Sequence, residues 1–195
     1  DIAHDARWCR VAEGAGEDPY LGGIMARSYV EGYQGTAQIP MPIHSAIACV
    51  KHYALYGAAE SGRDYNTVLM DRPTMMNLYM RPYYEACKAG AGSYMTAFNE
   101  FEGVPAAANH YLIHDLLRTQ WGFKGLVVTD ATAIQEMTVH GIGDLQEVSA
   151  RALKAGVDLD MNSQGFLKTL KKSLQEGKVS KEDINKACRH VLEMK

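Results

Sequence analysis

Asp130 closes the short apolar run Gly125–Thr129 in the segment KGLVVTDATA. The run is too brief for a helix and rich in β-branched residues, which predicts a strand buried on both faces. A carboxylate at the carboxyl end of such a strand stands where α/β enzymes keep reactive groups, although an Asp there can also simply cap the next helix. Other segments bring further polar groups to expected strand ends: Arg7 and Arg10, then Lys51 with His52, then Asn99 with Glu100. Singly, each has a plain structural reading. The Lys would be solvated, the His hydrogen-bonded in place, and Glu13, Glu17 and Asp18 would pair with the two arginines. Converging on one pocket, two or three cations around one carboxylate would keep it ionised. That suits a nucleophile or an electrostatic stabiliser and not a general acid. The Lys-His pair would then serve several hydroxyls of one small polyol, the density of polar partners a sugar pocket needs.

The elements that must hold these groups alternate along the chain. Strands are predicted over Ala46–Val50, ending on Lys51 and His52, over Ser93–Phe98, over Gly125–Thr129 and, shortest, over Val157–Met161. A fifth would end just before Asp5. Helices are predicted over Tyr20–Tyr33, Pro73–Ala89 behind Asp71, Asn109–Gln120 behind an Asn cap, and Leu145–Ala155 behind an Asp cap. Two more follow, Phe166–Glu176 and Lys181–Met194, the last with Ser180 and Asp183 placed as a capping box. This alternation predicts parallel strands joined by right-handed crossovers. The long polar loops after the strands favour part, about half, of a (β/α)8 TIM-type barrel over a flavodoxin-like open sheet, for which a glycine-rich phosphate loop is lacking.

Composition excludes several classes of function. The 195 residues are 47% hydrophobic and 22% charged with a formal net charge of −3, an ordinary globular composition that does not suggest nucleic acid or an anionic membrane as partner. No run approaches the ~20 apolar residues of a membrane span. The chain opens with DIAHDARW and no basic-then-apolar leader, which suggests a mature or truncated product. Cys9, Cys49, Cys87 and Cys188 form no CxxC pair, so neither a zinc site nor a redox motif is expected, and Cys49 and Cys87 fall in apolar runs as expected core residues.

Four blocks in order carry a resemblance to glycoside hydrolase family 3, particularly its bacterial multi-domain β-glucosidases. ARWCRVAEGAGEDPYL is similar to the family's D-P-R-W-G-R…E-x-x-G-E-D-P-Y-L block, and CVKHYALYGAAESGRDYNT to its K-H-F/Y block and following loop. SYMTAFNEFEGVPAAAN resembles M-S-x-Y-N-x-x-N-G-x-P, and WGFKGLVVTDATA resembles W-G-F-x-G-x-V-x-S-D-W/H. The resemblance covers residues 1–195, as the C-terminal portion of the family's catalytic barrel, and implies a retaining, exo-acting β-glycosidase acting on β-glucosides, with β-xylosides as the alternative substrate. It implies Asp130 as nucleophile, Arg10, Lys51 and His52 as sugar ligands in the minus-one subsite, Arg63 near a family arginine, and Met95 lining the pocket. Arg7 would be a buried partner of nearby carboxylates. No cofactor or metal is implied, and the location would be periplasmic or secreted.

Several positions depart from the family pattern. Phe98 stands where relatives carry Tyr, Ala131 replaces the Trp or His after the nucleophile, and Cys9 and Ala6 replace Gly and Pro. The loop Ala54–Asn66 has no His, against the N-acetylglucosaminidase branch. Retaining chemistry needs a second carboxyl group ~5–5.5 Å from the first. The family places it in a later domain, while Glu60, Glu100 and Glu102 are the loop carboxylates present here. The alternative reading is therefore a non-catalytic or engineered half barrel that self-associates or binds a missing segment through its open sheet edges. A carbohydrate-binding module without chemistry is disfavoured by the intact nucleophile block.

Overall fold

A computed structural model describes residues 1–35 and 42–195, which divide into two compact units. The first comprises Asp1–Tyr94 with Asn99–Gly103, the second Met95–Phe98 with Val104–Lys195.

In the first unit the leading residues form no strand; a short turn, Val11–Glu13, follows them. Helix α1, Pro19–Gln34, starts where the Asp18 side chain accepts from the Leu21 N–H at 2.7 Å, with Pro19 in the first turn. Strand β1 is Cys49–Tyr53. It begins three residues later than the sequence predicts, so Lys51 and His52 lie inside the strand and not at its end. Cys49 and Lys51 are exposed, while His52 and Tyr53, which point to opposite faces of the strand, are both buried. Cys49 is thus exposed and Cys87 only half-buried, contrary to the core role expected of both.

The expected long helix Pro73–Ala89 is broken. A single turn, α2 (Arg72–Thr74), capped by Asp71, runs into a wide π-type turn, Met75–Tyr79, before α3, Arg81–Lys88. Pro82 is the cause. It offers no N–H to the turn before it, and the backbone instead closes a wider ring, with the Met80 N–H donating to Met75 O at 2.9 Å. Helix α1 packs on α3, and β1 lies beside β2, Ser93–Thr96, whose Ser93 N–H donates to Ala48 O at 3.1 Å. Strand β3, Glu100–Phe101, pairs in parallel with Val68.

The second unit contains β4, Val104–Pro105, and a π-type helix, Tyr111–Gln120, for which Asn109 caps the Leu112 N–H at 3.1 Å. Strand β5, Leu126–Thr129, hydrogen-bonds to β2, whose Met95 and Thr96 belong here. Beyond it come α4 (Ala133–Glu136), α5 (Leu145–Ala155), α6 (Gly165–Gln175) and α7 (Lys181–Glu193). Asp144 caps α5, Gly156 ends it in the left-handed region at φ 109°, and Ser180 with Asp183 forms the expected capping box. Ala150, Leu153, Val179 and Ala187 make a local core, with Phe166, Leu170 and Ile184 packed on it.

The predicted strand Val157–Met161 shrinks to one parallel bridge, Val128 to Leu159. The Asp158 carboxylate takes the Val127 N–H at 2.8 Å, a donor that a longer ladder would give to the main chain. The α/β class with parallel pairing stands as the sequence predicts.

Candidate functional site

Arg10, Lys51 and His52 come together in the first unit around two acids, Glu13 and Asp1. Arg10 makes a two-pronged pair with Glu13, Nε to Oε1 at 2.7 Å and Nη2 to Oε2 at 2.9 Å. This fork geometry is the strong form of a charge-assisted hydrogen bond. Lys51 Nζ lies 3.7 Å from the same Glu13 Oε2. One carboxylate therefore faces two cations, and Arg10 above all holds the Glu13 carboxyl below the usual glutamate range. Glu13 in turn raises the Arg10 guanidinium. Tyr56 lies under the guanidinium at 5.3 Å, and burial pushes its phenol up.

His52 is 2% exposed and held on both sides of its ring. Nδ1 is 3.1 Å from Asp1 Oδ2, and Nε2 is 3.1 Å from Arg10 Nη2. The His52 backbone N–H also donates to Asp1 Oδ2 at 3.1 Å. The Tyr83 hydroxyl stands 2.5 Å from Asp1 Oδ1 and 2.6 Å from His52 O, and burial raises its pKa, which keeps it a donor. The Lys51–His52 peptide bond is cis.

The pairing guesses for the first block sort out cleanly. Glu13 takes Arg10, whereas Asp18 caps α1 and Glu17 lends only its carbonyl, to His4. Arg7 pairs with Asp5 at 2.7 Å but its side chain is 71% exposed, which corrects its expected burial. The short hop from Asp5 to Arg7 in a turn leaves the guanidinium on the surface. Arg63 is exposed in the loop after β1 and ends the turn Glu60–Gly62. Asn99 is fully buried, its amide donating to Ala54 O at 3.2 Å, and so serves the fold of this unit.

Of the three loop carboxylates, Glu100 accepts from the Thr67 hydroxyl and Glu102 pairs with Arg72 at 3.0 Å. That arginine depresses the Glu102 carboxyl, which suits an anion and not a proton donor.

In the second unit, Asp130 follows β5 and is half-buried. Its Oδ1 accepts from the Ala131 N–H at 2.7 Å, and its carbonyl accepts from the Ala133 N–H at 3.1 Å. The Thr129 hydroxyl accepts from the Met161 N–H at 2.9 Å, and Met161 O takes the Thr132 N–H at 2.8 Å. These bonds tie both flanks of Asp130 to one neighbouring segment. Met95 is half-buried on β2. Among the described residues one group could hold a metal ion, His110, His114 and Asp115, on the surface of the π-type helix.

Sequence reasoning missed Asp1 and Tyr83 altogether. Asp1 sits outside any periodic element, five residues before the block that begins at Ala6.

Residues 1–194 match the model of the glycosyl hydrolase family 3 N terminal domain. The chain is 43% identical to a periplasmic beta-glucosidase of Salmonella typhimurium, over 100% of its own length and 25% of that protein's. It is 37% identical to a beta-xylosidase of Formosa agariphila, covering 82% of this chain and 22% of the relative. Among solved structures, the beta-glucosidase of Listeria innocua in complex with isofagomine superposes with a TM-score of 0.96 at 38% identity, over 100% of this chain and 27% of that one. The chain thus spans about a quarter of the length of the relatives it matches.

Proposed function

The chain belongs to glycosyl hydrolase family 3, and from that membership we propose that it carries the nucleophile and sugar ligands of a retaining, exo-acting β-glycosidase of the β-glucosidase type. Asp130 attacks the anomeric carbon of the terminal sugar. The bond to the leaving oxygen breaks as that oxygen is protonated, and water then cleaves the glycosyl ester and restores the Asp130 carboxylate. The observation that carries the reading is the cluster of Arg10, Glu13, Lys51 and His52, in which donors and acceptors for hydroxyls stand side by side. Arg10, Lys51 and His52 bind the sugar and none of them is the proton donor. On this reading the acid/base comes from a part of the enzyme outside these residues, as the family resemblance implies; Glu100 and Glu102 are engaged with Thr67 and Arg72.

In the full-length enzyme a fluorosugar inactivator is expected to label Asp130, and Asp130→Asn to lose several orders of magnitude in rate. A label on another carboxylate would sink the assignment. The Salmonella relative's name supports a glucoside substrate and a periplasmic location; the Formosa relative's name supports a β-xyloside as the alternative.

A second reading, an isolated chain that self-associates without useful turnover, draws support from α1. Its Tyr29 and Tyr33, stacked one turn apart, are 59% and 58% exposed. Such a face is a candidate for cover by more protein. Sedimentation of the 195-residue chain tests it: dimers with little activity are expected, and robust turnover by a monodisperse monomer would refute it.

A further inference from the structure

The hydrogen bonds around His52 fix which ring nitrogen holds the proton. Arginine carries only donors and does not lose its proton in proteins, so Nε2, 3.1 Å from Arg10 Nη2, must accept. A neutral imidazole has one donor and one acceptor, which leaves the proton on Nδ1, facing Asp1 Oδ2 at 3.1 Å. Asp1 is equipped for this task. Its side chain is 6% exposed, and besides the ring it takes the His52 backbone N–H and stands 2.5 Å from the Tyr83 hydroxyl. The backbone bond and the ring bond meet on the same oxygen, so the ring's angle to its own main chain is set as well as its tautomer.

We propose that Asp1 is a positioning residue of the sugar site, which holds His52 as the Nδ1–H tautomer so that Nε2 accepts a hydrogen bond from a sugar hydroxyl. The proposal rests on the glycosidase reading above and adds to it the polarity of each contact. Lys51 and Arg10 donate, while His52 and Glu13 accept. A sugar hydroxyl is donor and acceptor at once, and a site offering both kinds can satisfy neighbouring hydroxyls in both roles. In the free site the Arg10 N–H occupies Nε2; on binding, a hydroxyl takes that place and the arginine N–H turns to a sugar oxygen. With the proton on Nε2 instead, a third donor would point at the guanidinium, and the Asp1 carboxylate would face a ring lone pair.

The test reads the tautomer directly. In a chain labelled with nitrogen-15 histidine, long-range proton–nitrogen correlation distinguishes Nδ1 from Nε2, and His52→Gln identifies which signals belong to residue 52. The unaltered chain is expected to show Nδ1–H. Asp1→Asn should keep it, since the amide oxygen still accepts, whereas Asp1→Ala removes the partner that holds the ring against Arg10 and should let the ring turn, leaving a mixture of tautomers. In the full-length enzyme Asp1→Ala should also weaken glucose binding about tenfold, with Asp1→Asn restoring most of it. A wild-type ring protonated on Nε2, or an Asp1→Ala ring as wholly Nδ1–H as the wild type, which would credit Arg10 alone, overturns the proposal. If Asp1→Ala does not fold, the wild-type and Asp1→Asn spectra decide on the same criterion. The functional reading fails separately: a full-length enzyme that binds no sugar refutes the glycosidase, whatever tautomer His52 shows.

Discussion

Asp158→Ala should cost the second unit much of its stability. The Asp158 side chain is 4% exposed and serves three donors. Oδ2 takes Arg118 Nη2 at 2.5 Å and the Val127 N–H at 2.8 Å, and Oδ1 faces His190 Nδ1 at 2.8 Å. Truncation strands a guanidinium whose side chain is 7% exposed, a loss of ~3–5 kcal/mol for a buried pair broken on one side. It also orphans a buried strand N–H, worth a further ~1–3 kcal/mol. Against this, Arg118 keeps Gly156 O at 2.9 Å and Gly125 O at 3.2 Å, so the cation is not left bare. The lower ends of both ranges therefore apply, giving ~4 kcal/mol, against a total of ~5–15 kcal/mol for an ordinary domain. At ~2–4 °C per kcal/mol for a chain of this size, the melting temperature should fall by about 8–16 °C. Urea unfolding followed by circular dichroism measures the loss, and Asp158→Asn, which keeps an acceptor for Val127, should fall between. A loss below ~1 kcal/mol for the alanine variant would refute the view that this carboxylate holds the unit together.

Gly57→Ala should destabilise the first unit by ~1–3 kcal/mol, because the new Cβ would stand 2.2 Å from the Ile2 carbonyl oxygen, a backbone atom that cannot swing aside; thermal melting checks it. The Asp5 carboxyl, held down first by its hydrogen bonds to Arg7, should titrate at about 2 in carbon-detected NMR and not near its ordinary 3.8. Its depressed value means the pairing is complete above the ordinary value and is lost as pH falls toward about 2. Glu13→Gln should cost less than ~1 kcal/mol at neutral pH, since the Glu13 side chain is 49% exposed and screened. Its carboxyl is also depressed, so the contribution exists above the ordinary glutamate range and fades on acidification. Urea midpoints of the two chains should converge in acid, and a gap that widens there would refute the pairing.

Capping chemistry made the later helices legible. Asp144 and the Ser180–Asp183 pair mark starts that the chain obeys, since side-chain caps act within a few residues and owe little to distant packing. The strands were legible as elements but not in register. Ala46 and Ile47 look like strand residues, yet pairing begins at Cys49 and runs through Lys51 and His52, whose polar side chains disguise it. Pro82 stands inside the helical stretch Pro73–Ala89, where its missing N–H widens the turn before it. The site residues Arg10, Lys51 and His52 were named from the motif blocks, and so was Glu13 as a partner of Arg10, but the partner of His52 was not. Asp1 meets His52 across about half of the first unit's length, and no local pattern announces a contact between residues so far apart.

Gln34 has a consequence for how the first unit assembles. Its buried amide imitates a peptide group: Nε2 donates to Gly90 O at 2.9 Å, and Oε1 accepts from Ala48 N at 3.0 Å and Gly92 N at 2.8 Å. The residues it grips sit immediately before β1 and β2. The end of a helix thus acts as a jig for two strand starts, and the positions of Lys51 and His52 are counted from it. Once α1 has seated on α3, a slip of either strand by one residue would break a buried bond to this amide as well as misplace the ladder. Accuracy at Lys51 and His52 is in this sense made upstream, by a residue that never approaches them.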